Sequence, residues 1–190
     1  MVASLHQAIG DILPTRLGFY ENWLTSEGLR DGTIGLPPLY AVLSFLRQEG
    51  PVYAEVTRTA GAYAAEWTVA SMSSFRRSLI RRLPRFIRRR VVLGRAAALV
   101  QMSYDGSRAS SRTRKGVARF TVKASVFCSV REPVADPLCG YYASAVERML
   151  ALFDIETSVT VESCRGTGDD GCVLRVPFTS VEDAAPPETP

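Results

Sequence analysis

The stretch VESCRGTGDDGCVLRV (residues 161–176) decides how this chain is read. Two short runs with β-branched residues flank a glycine- and aspartate-rich turn, which predicts a hairpin whose turn needs positive φ. The turn brings Cys164, at the end of one strand, beside Cys172, at the start of the next. Glu162 stands two residues before Cys164, so both side chains leave the same face of the strand. Upstream, DPLCGYYASAVERMLALF (136–153) carries Tyr142, Ala145, Val146, Met149, Leu150 and Phe153 at helical spacing. Cys139 opens that helix, where the helix dipole favours a thiolate. Cys139, Glu162, Cys164 and Cys172 are therefore four candidate ligands for a closed, structural zinc site. On spacing alone, zinc ligation and plain burial of the thiols stand level. No Cys-x-x-Cys knuckle is present, and free cysteine is among the most buried residue types. A disulfide ranks third in a reducing compartment.

Working outward, VARFTVKASVFCSV (117–130) alternates with period two and reads as a strand, with Cys128 alone on it as a core residue. The preceding DGSRASSRTRKG (105–116) reads as a polar, basic loop. Everything before it reads as helical. LHQAIGDIL carries Leu5, Ile9, Ile12 and Leu13 on one stripe, and a short second helix follows with Gly28 as its C-cap. PPLYAVLSFLRQEG begins at prolines and ends at Gly50. PVYAEVTRTAGAYAAEWTVASM is a longer helix in which Gly61 and its alanine neighbours let another element approach closely. An arginine-rich helix then breaks or restarts at Pro84. Helices followed by β-α-β-β predict an α+β domain, a small antiparallel sheet packed against several helices. The expected division is an N-terminal helical extension (1–30), the main domain (31–179) and a disordered, acidic, proline-rich tail (180–190).

The 190 residues suit one domain with its own core, and no stretch is long and apolar enough to span a bilayer. The first residues lack a charged segment followed by an apolar run, so the expected location is the cytoplasm, with peripheral membrane contact as an addition. One histidine, His6, offers no nucleophile–base pair, and neither a phosphate loop nor a dinucleotide fingerprint is present. This favours binding over catalysis. FRRSLIRRLPRFIRRR (75–90) holds eight arginines: Arg76, Arg77, Arg81, Arg82, Arg85, Arg88, Arg89 and Arg90. They form either a solvated face or a surface for an anionic membrane or acidic partner, because Leu79, Ile80, Leu83, Phe86 and Ile87 interleave with them. Nucleic acid ranks last, since no reader motif accompanies the charge.

The segments SVFCSV, PLCGYYASAVERMLALF and VTVESCRGTGDDGCVLRV together resemble the 4-vinyl reductase domain family, over residues 34–178 and most strongly in the last fifty. That family shares a TRAPP-like ligand-binding fold with TRAPP vesicle-tethering subunits and with bacterial phenol sensors. In the sensors, the positions matching Cys139, Glu162, Cys164 and Cys172 ligate zinc, so the resemblance implies Zn2+ here. One departure stands out: the sensors carry the glutamate three residues before the cysteine, where this chain has Val161. Asp169 or Asp170 could then complete the site in place of Glu162. The resemblance also implies a hydrophobic ligand held between sheet and helices. Phe45, Tyr53, Tyr63, Trp67, Phe127, Tyr141 and Tyr142 are the candidate lining, although aromatic residues at helical spacing are usually core. The implied function is a non-catalytic, zinc-stabilised binding module for a hydrophobic small molecule such as a tetrapyrrole or bacteriochlorophyll intermediate. The alternatives are an enzyme or accessory of bacteriochlorophyll 4-vinyl reduction, and a structural subunit of a homodimer or larger assembly.

Overall fold

A computed structural model describes residues 1–104 and 106–178. Seven helices come first: α1 (Val2–Ile12), α2 (Leu17–Tyr20), α3 (Ser26–Asp31), α4 (Leu36–Gln48), α5 (Val52–Ala70), α6 (Ser74–Arg82) and α7 (Arg85–Gln101). A hairpin of β1 (Arg108–Arg114) and β2 (Val117–Lys123) follows, then α8 (Gly140–Ala151) and the strands β3 (Thr160–Ser163) and β4 (Cys172–Pro177). All pairings are antiparallel and the spatial order is β1-β2-β4-β3. The architecture is the α+β arrangement that the order of elements predicts.

Local chemistry sets most of the boundaries. Pro37 and Pro38 sit in the first turn of α4, where their missing N–H groups cost nothing, and Gly50 beyond its end takes φ 66°. The Ser73 side chain caps α6 by accepting from the Arg76 N–H, and Pro84 separates α6 from α7. The end of the second N-terminal helix differs from expectation. Gly28 is buried inside α3, and Gly32, at φ 68°, is the residue that ends it. Thr25 starts this helix by accepting from the Gly28 N–H.

The centre of the molecule is the packing of α5 on α8, with α1 on another side of α5 burying Leu5, Ala8 and Ile9. Gly61 lies where α5 meets α8. A Cβ built there would be 2.1 Å from the Tyr141 carbonyl oxygen. Alternate residues of the sheet, Ala118, Phe120 and Val122 on β2 and Leu174 and Val176 on β4, turn into the same core.

Two expectations about the sheet are corrected. The basic stretch read as a loop contains a strand, β1, whose residues are exposed except for half-buried Ala109. Burying so little, β1 has no apolar alternation to reveal it, as suits a charged edge strand. Its signature is the turn instead: Lys115 (φ 48°) and Gly116 (φ 74°) both adopt positive φ, the two-residue connection that matches strand twist. The second correction shortens the next strand. β2 stops at Lys123, Ala124 takes φ 53°, and the Cys128 N–H donates to the Ser125 carbonyl in a turn. Cys128 thereby leaves the sheet and faces inward. Left-handed backbone costs a non-glycine residue about 1–2 kcal/mol. The Ala124→Gly variant will therefore be more stable by ~0.5 kcal/mol after its larger unfolded-state entropy is subtracted, a gain checked by denaturant titration. The expected disordered tail, 180–190, lies outside the described residues.

Candidate metal centre

Four segments converge beneath the β3–β4 hairpin, and each brings one cysteine. Cys128 arrives in the turn after β2, Cys139 at the N-cap of α8, Cys164 just past β3, and Cys172 as the first residue of β4. Their sulfurs all lie within 4.8 Å of one another. The Sγ of Cys128 is 3.2 Å from Cys139, 3.4 Å from Cys164 and 3.5 Å from Cys172, and Cys139 is 3.3 Å from Cys164. A tetrahedron with metal–sulfur bonds of about 2.3 Å has edges of about 3.8 Å, so the group is sized for a single ion. All four cysteines are free and buried.

The surrounding backbone is arranged for sulfur that carries negative charge. The Leu138 N–H donates to Cys164 Sγ at 3.3 Å and the Arg165 N–H to Cys172 Sγ at 3.5 Å. The Cys164 N–H donates to Asp169 Oδ2 at 2.8 Å, and the Thr167 hydroxyl donates to the Cys164 carbonyl at 2.8 Å. Gly168, at φ 100°, lets the hairpin turn over this knot, and the Val134 N–H ties the preceding loop to the Gly166 carbonyl. Such outer hydrogen bonds fix ligand orientation in metal sites. The four sulfurs also differ in how they hold protons. Cys164 lies below the ordinary thiol value because Cys128, Cys139 and Cys172 donate to it, helped by the Leu138 N–H. Cys139 is pushed up because its hydrogen bonds with Cys128, Cys164 and Cys172 retain its proton and burial adds to the effect.

Three of the four expected ligands meet, and a different fourth residue joins them. Cys139, Cys164 and Cys172 come together, but Glu162 does not join them. It sits at an irregularity of β3 on the outer face of the sheet, where Arg119 Nε donates to its Oε2 at 3.1 Å. The bulge at Glu162 reverses the alternation that a regular strand would give. Asp169 shapes the Cys164 backbone instead of completing the site. Cys128, read from sequence as an ordinary core residue, takes the fourth place. One sequence signal pointed to it: the chain's four cysteines all fall within 128–172. Glu162→Gln will leave metal content unchanged and cost under ~1 kcal/mol, as an exposed ion pair does, which metal analysis and a melting curve will check.

The candidate pocket residues fall in three places. Phe127, Tyr141 and Tyr142 are wholly buried together: Phe127 stacks on Tyr141 with centroids 4.8 Å apart, and Tyr142 meets both edge-on. Tyr63 and Trp67 stack at 6.0 Å away from this trio; Trp67 is 44% exposed and the Tyr63 hydroxyl donates to Asp11. Phe45 packs with Phe19 and Trp23. Tyr53 is buried and its hydroxyl donates to the Leu138 carbonyl, beside the cysteines. Within the buried trio, the Tyr142 hydroxyl faces Ser125 and the Tyr141 hydroxyl faces Ser4 and Ser103, yet neither reaches hydrogen-bond geometry. Burial pushes the Tyr141 phenol up to about 12 and Tyr142 well above its ordinary value.

No protein-family model matches the chain, and no curated protein matches it in sequence. Its likeness lies among solved structures. The chain is similar in fold to the phenol-responsive sensory domain of the transcription activator PoxR, crystallised with phenol. The TM-score is 0.51 and the identity 15%, over 75% of this chain and 74% of that one. A trafficking protein particle complex subunit 3 from Naegleria fowleri, covalently bound to palmitic acid, matches with TM-score 0.49 and 12% identity over 94% of this chain and 96% of that one. At 15% identity the likeness to the sensory domain is one of fold.

Proposed function

We propose that this chain is a non-catalytic binding module for a small hydrophobic molecule, clamped by one Zn2+ on Cys128, Cys139, Cys164 and Cys172. The observation that carries the metal is the meeting of four buried sulfurs from four separate segments within 4.8 Å. Soft sulfur donors select zinc over magnesium or calcium, and four thiolates fill a tetrahedron with no position left for substrate. The ion's task is then structural: it joins the turn after β2, the start of α8 and both arms of the β3–β4 hairpin. Vinyl reduction would need a hydride source, and the sequence holds no dinucleotide fingerprint to bind one.

Two observations support ligand binding. The fold is similar to that of a sensory domain whose structure contains phenol. The buried hydroxyls of Tyr141, Tyr142 and Ser125 lack partners inside an aromatic cluster. An unmet buried hydroxyl costs about 1–3 kcal/mol, which a ligand with an aromatic ring and one polar atom would recover. Phe127, Tyr141 and Tyr142 pack directly ring on ring, so a single ring is easier to admit among them than the tetrapyrrole that the 4-vinyl reductase resemblance suggests. No helix among the described residues is long and apolar enough to cross a membrane, and we place the module in the cytoplasm.

Melting curves with a panel of phenols, combined with mass spectrometry of co-purifying molecules, test this. At least one phenol will raise the transition. Tyr142→Phe will be about 1 kcal/mol more stable than the parent when free, having lost an unmet hydroxyl, and will respond less to the phenol. A chain that carries no aromatic molecule and shifts with no phenol would contradict the binding role.

A further inference from the structure

The arginines of α6 and α7 meet those of the sheet on a surface that no single stretch of sequence spells out. A groove of about 530 Å3 runs between α7 and β1, lined by Phe86, Arg89, Arg90, Arg112 and Phe178 among others. Arg112 also opens onto the outer face of the sheet. There Arg112, Arg119 and Arg175 stand in register across β1, β2 and β4. Like charges directly opposite on neighbouring strands destabilise a sheet, so such a row is costly unless an anion covers it. Few carboxylates do. Among the described residues, Arg119 meets Glu162 and Arg81 meets Asp154, while Arg76, Arg77, Arg82, Arg85, Arg90, Arg112 and Arg175 form no ion pair.

The apolar residues decide what the anion belongs to. α6 buries only Ile80. Phe75 is 76% exposed, Leu79 52% and Phe86 72%, each set among arginines. A merely solvated cationic helix has no use for these side chains. Nucleic-acid phosphates would leave them unmatched, and the row on the sheet has no aromatic on which bases could stack. An anionic bilayer satisfies both kinds of residue. Guanidinium groups pair with headgroup phosphates, and apolar side chains enter the boundary with the acyl chains.

We propose that this face, from α6 across the α7–β1 groove to the arginine row of the sheet, docks the protein on an anionic phospholipid membrane. It is independent of the small-molecule reading. The test is flotation of the full chain with phosphatidylcholine vesicles, with and without phosphatidylglycerol, at low and high salt. The chain will float with the anionic vesicles at low salt, stay behind with phosphatidylcholine alone, and release as salt rises. Phe75→Ser/Leu79→Ser/Phe86→Ser will lower the partition at least about tenfold. Arg85→Gln/Arg90→Gln/Arg112→Gln will lower it by about two orders of magnitude, near fivefold per arginine. All six residues are exposed, so the melting transition and metal content of both variants will match the parent and separate a docking defect from misfolding. Failure to float with anionic vesicles overturns the proposal. So does flotation that ignores the apolar substitutions, or binding to a DNA or RNA oligonucleotide in place of vesicles.

Discussion

Cys164→Ser will abolish stoichiometric metal binding and lower the melting transition of the metal-loaded protein by on the order of 10 °C. Removing one partner from a buried charged group costs about 3–5 kcal/mol, and 1 kcal/mol moves the transition of a chain this size by roughly 2–4 °C. Cys164 is the most connected of the four. Its sulfur contacts Cys128 and Cys139 and accepts from the Leu138 N–H, while its backbone is held by Asp169 and Thr167. Chelating the metal from the parent protein will reproduce the loss. In both cases amide exchange will accelerate first in the segments the cysteines tie together, the loop between β2 and α8 and the β3–β4 hairpin. The α1–α5–α8 packing rests on its own apolar contacts and will stay protected longer. A Cys164→Ser protein that melts like the parent, with or without chelator, would show that the four thiols are only neighbours in a core.

Gly61→Ala will destabilise the protein by ~2 kcal/mol. The new methyl carbon would sit 2.1 Å from the Tyr141 carbonyl oxygen, 3.0 Å from its carbon and 3.1 Å from the Ala145 nitrogen. All three are backbone atoms of α8, so no side chain can swing aside, and the two helices must separate. Overpacking of this kind costs about 1–3 kcal/mol, at the upper end when backbone has to move. Helix propensity acts the other way, favouring alanine by about 1 kcal/mol. Gly94→Ala isolates that opposing effect. Gly94 also lies inside a helix, α7, but nothing stands within 4 Å of the added carbon. It will therefore stabilise by ~0.5–1 kcal/mol. If Gly61→Ala melts at or above the parent, the α5–α8 interface is looser than described.

Legibility of this fold in sequence followed burial. α4, α5 and α8 each turn one apolar stripe inward, so periodicity marks them, and prolines and glycines mark the ends of α4. β1 turns almost nothing inward, so its alternation is silent and only the Lys115–Gly116 turn betrays it. The cysteine site was legible for three of its four members, because Cys139, Cys164 and Cys172 lie at boundaries that local sequence sets. Its fourth place depended on two backbone irregularities without a residue-type signature. Positive φ at Ala124, a residue that seldom adopts it, frees Cys128 from the strand. An irregular register around Glu162 places its carboxylate on Arg119. The aromatic residues illustrate a different ambiguity. Tyr63 and Trp67 sit one turn apart on α5, which puts them on one side of it, but spacing alone does not say whether that side meets core or solvent.

X-ray absorption at the zinc edge on the purified full chain tests the central claim most directly. One zinc per chain, surrounded by four sulfur atoms at about 2.3 Å and no lighter ligand, is the predicted result. A first shell containing oxygen or nitrogen, or a metal-free protein whose four thiols titrate freely in the folded state, would contradict it.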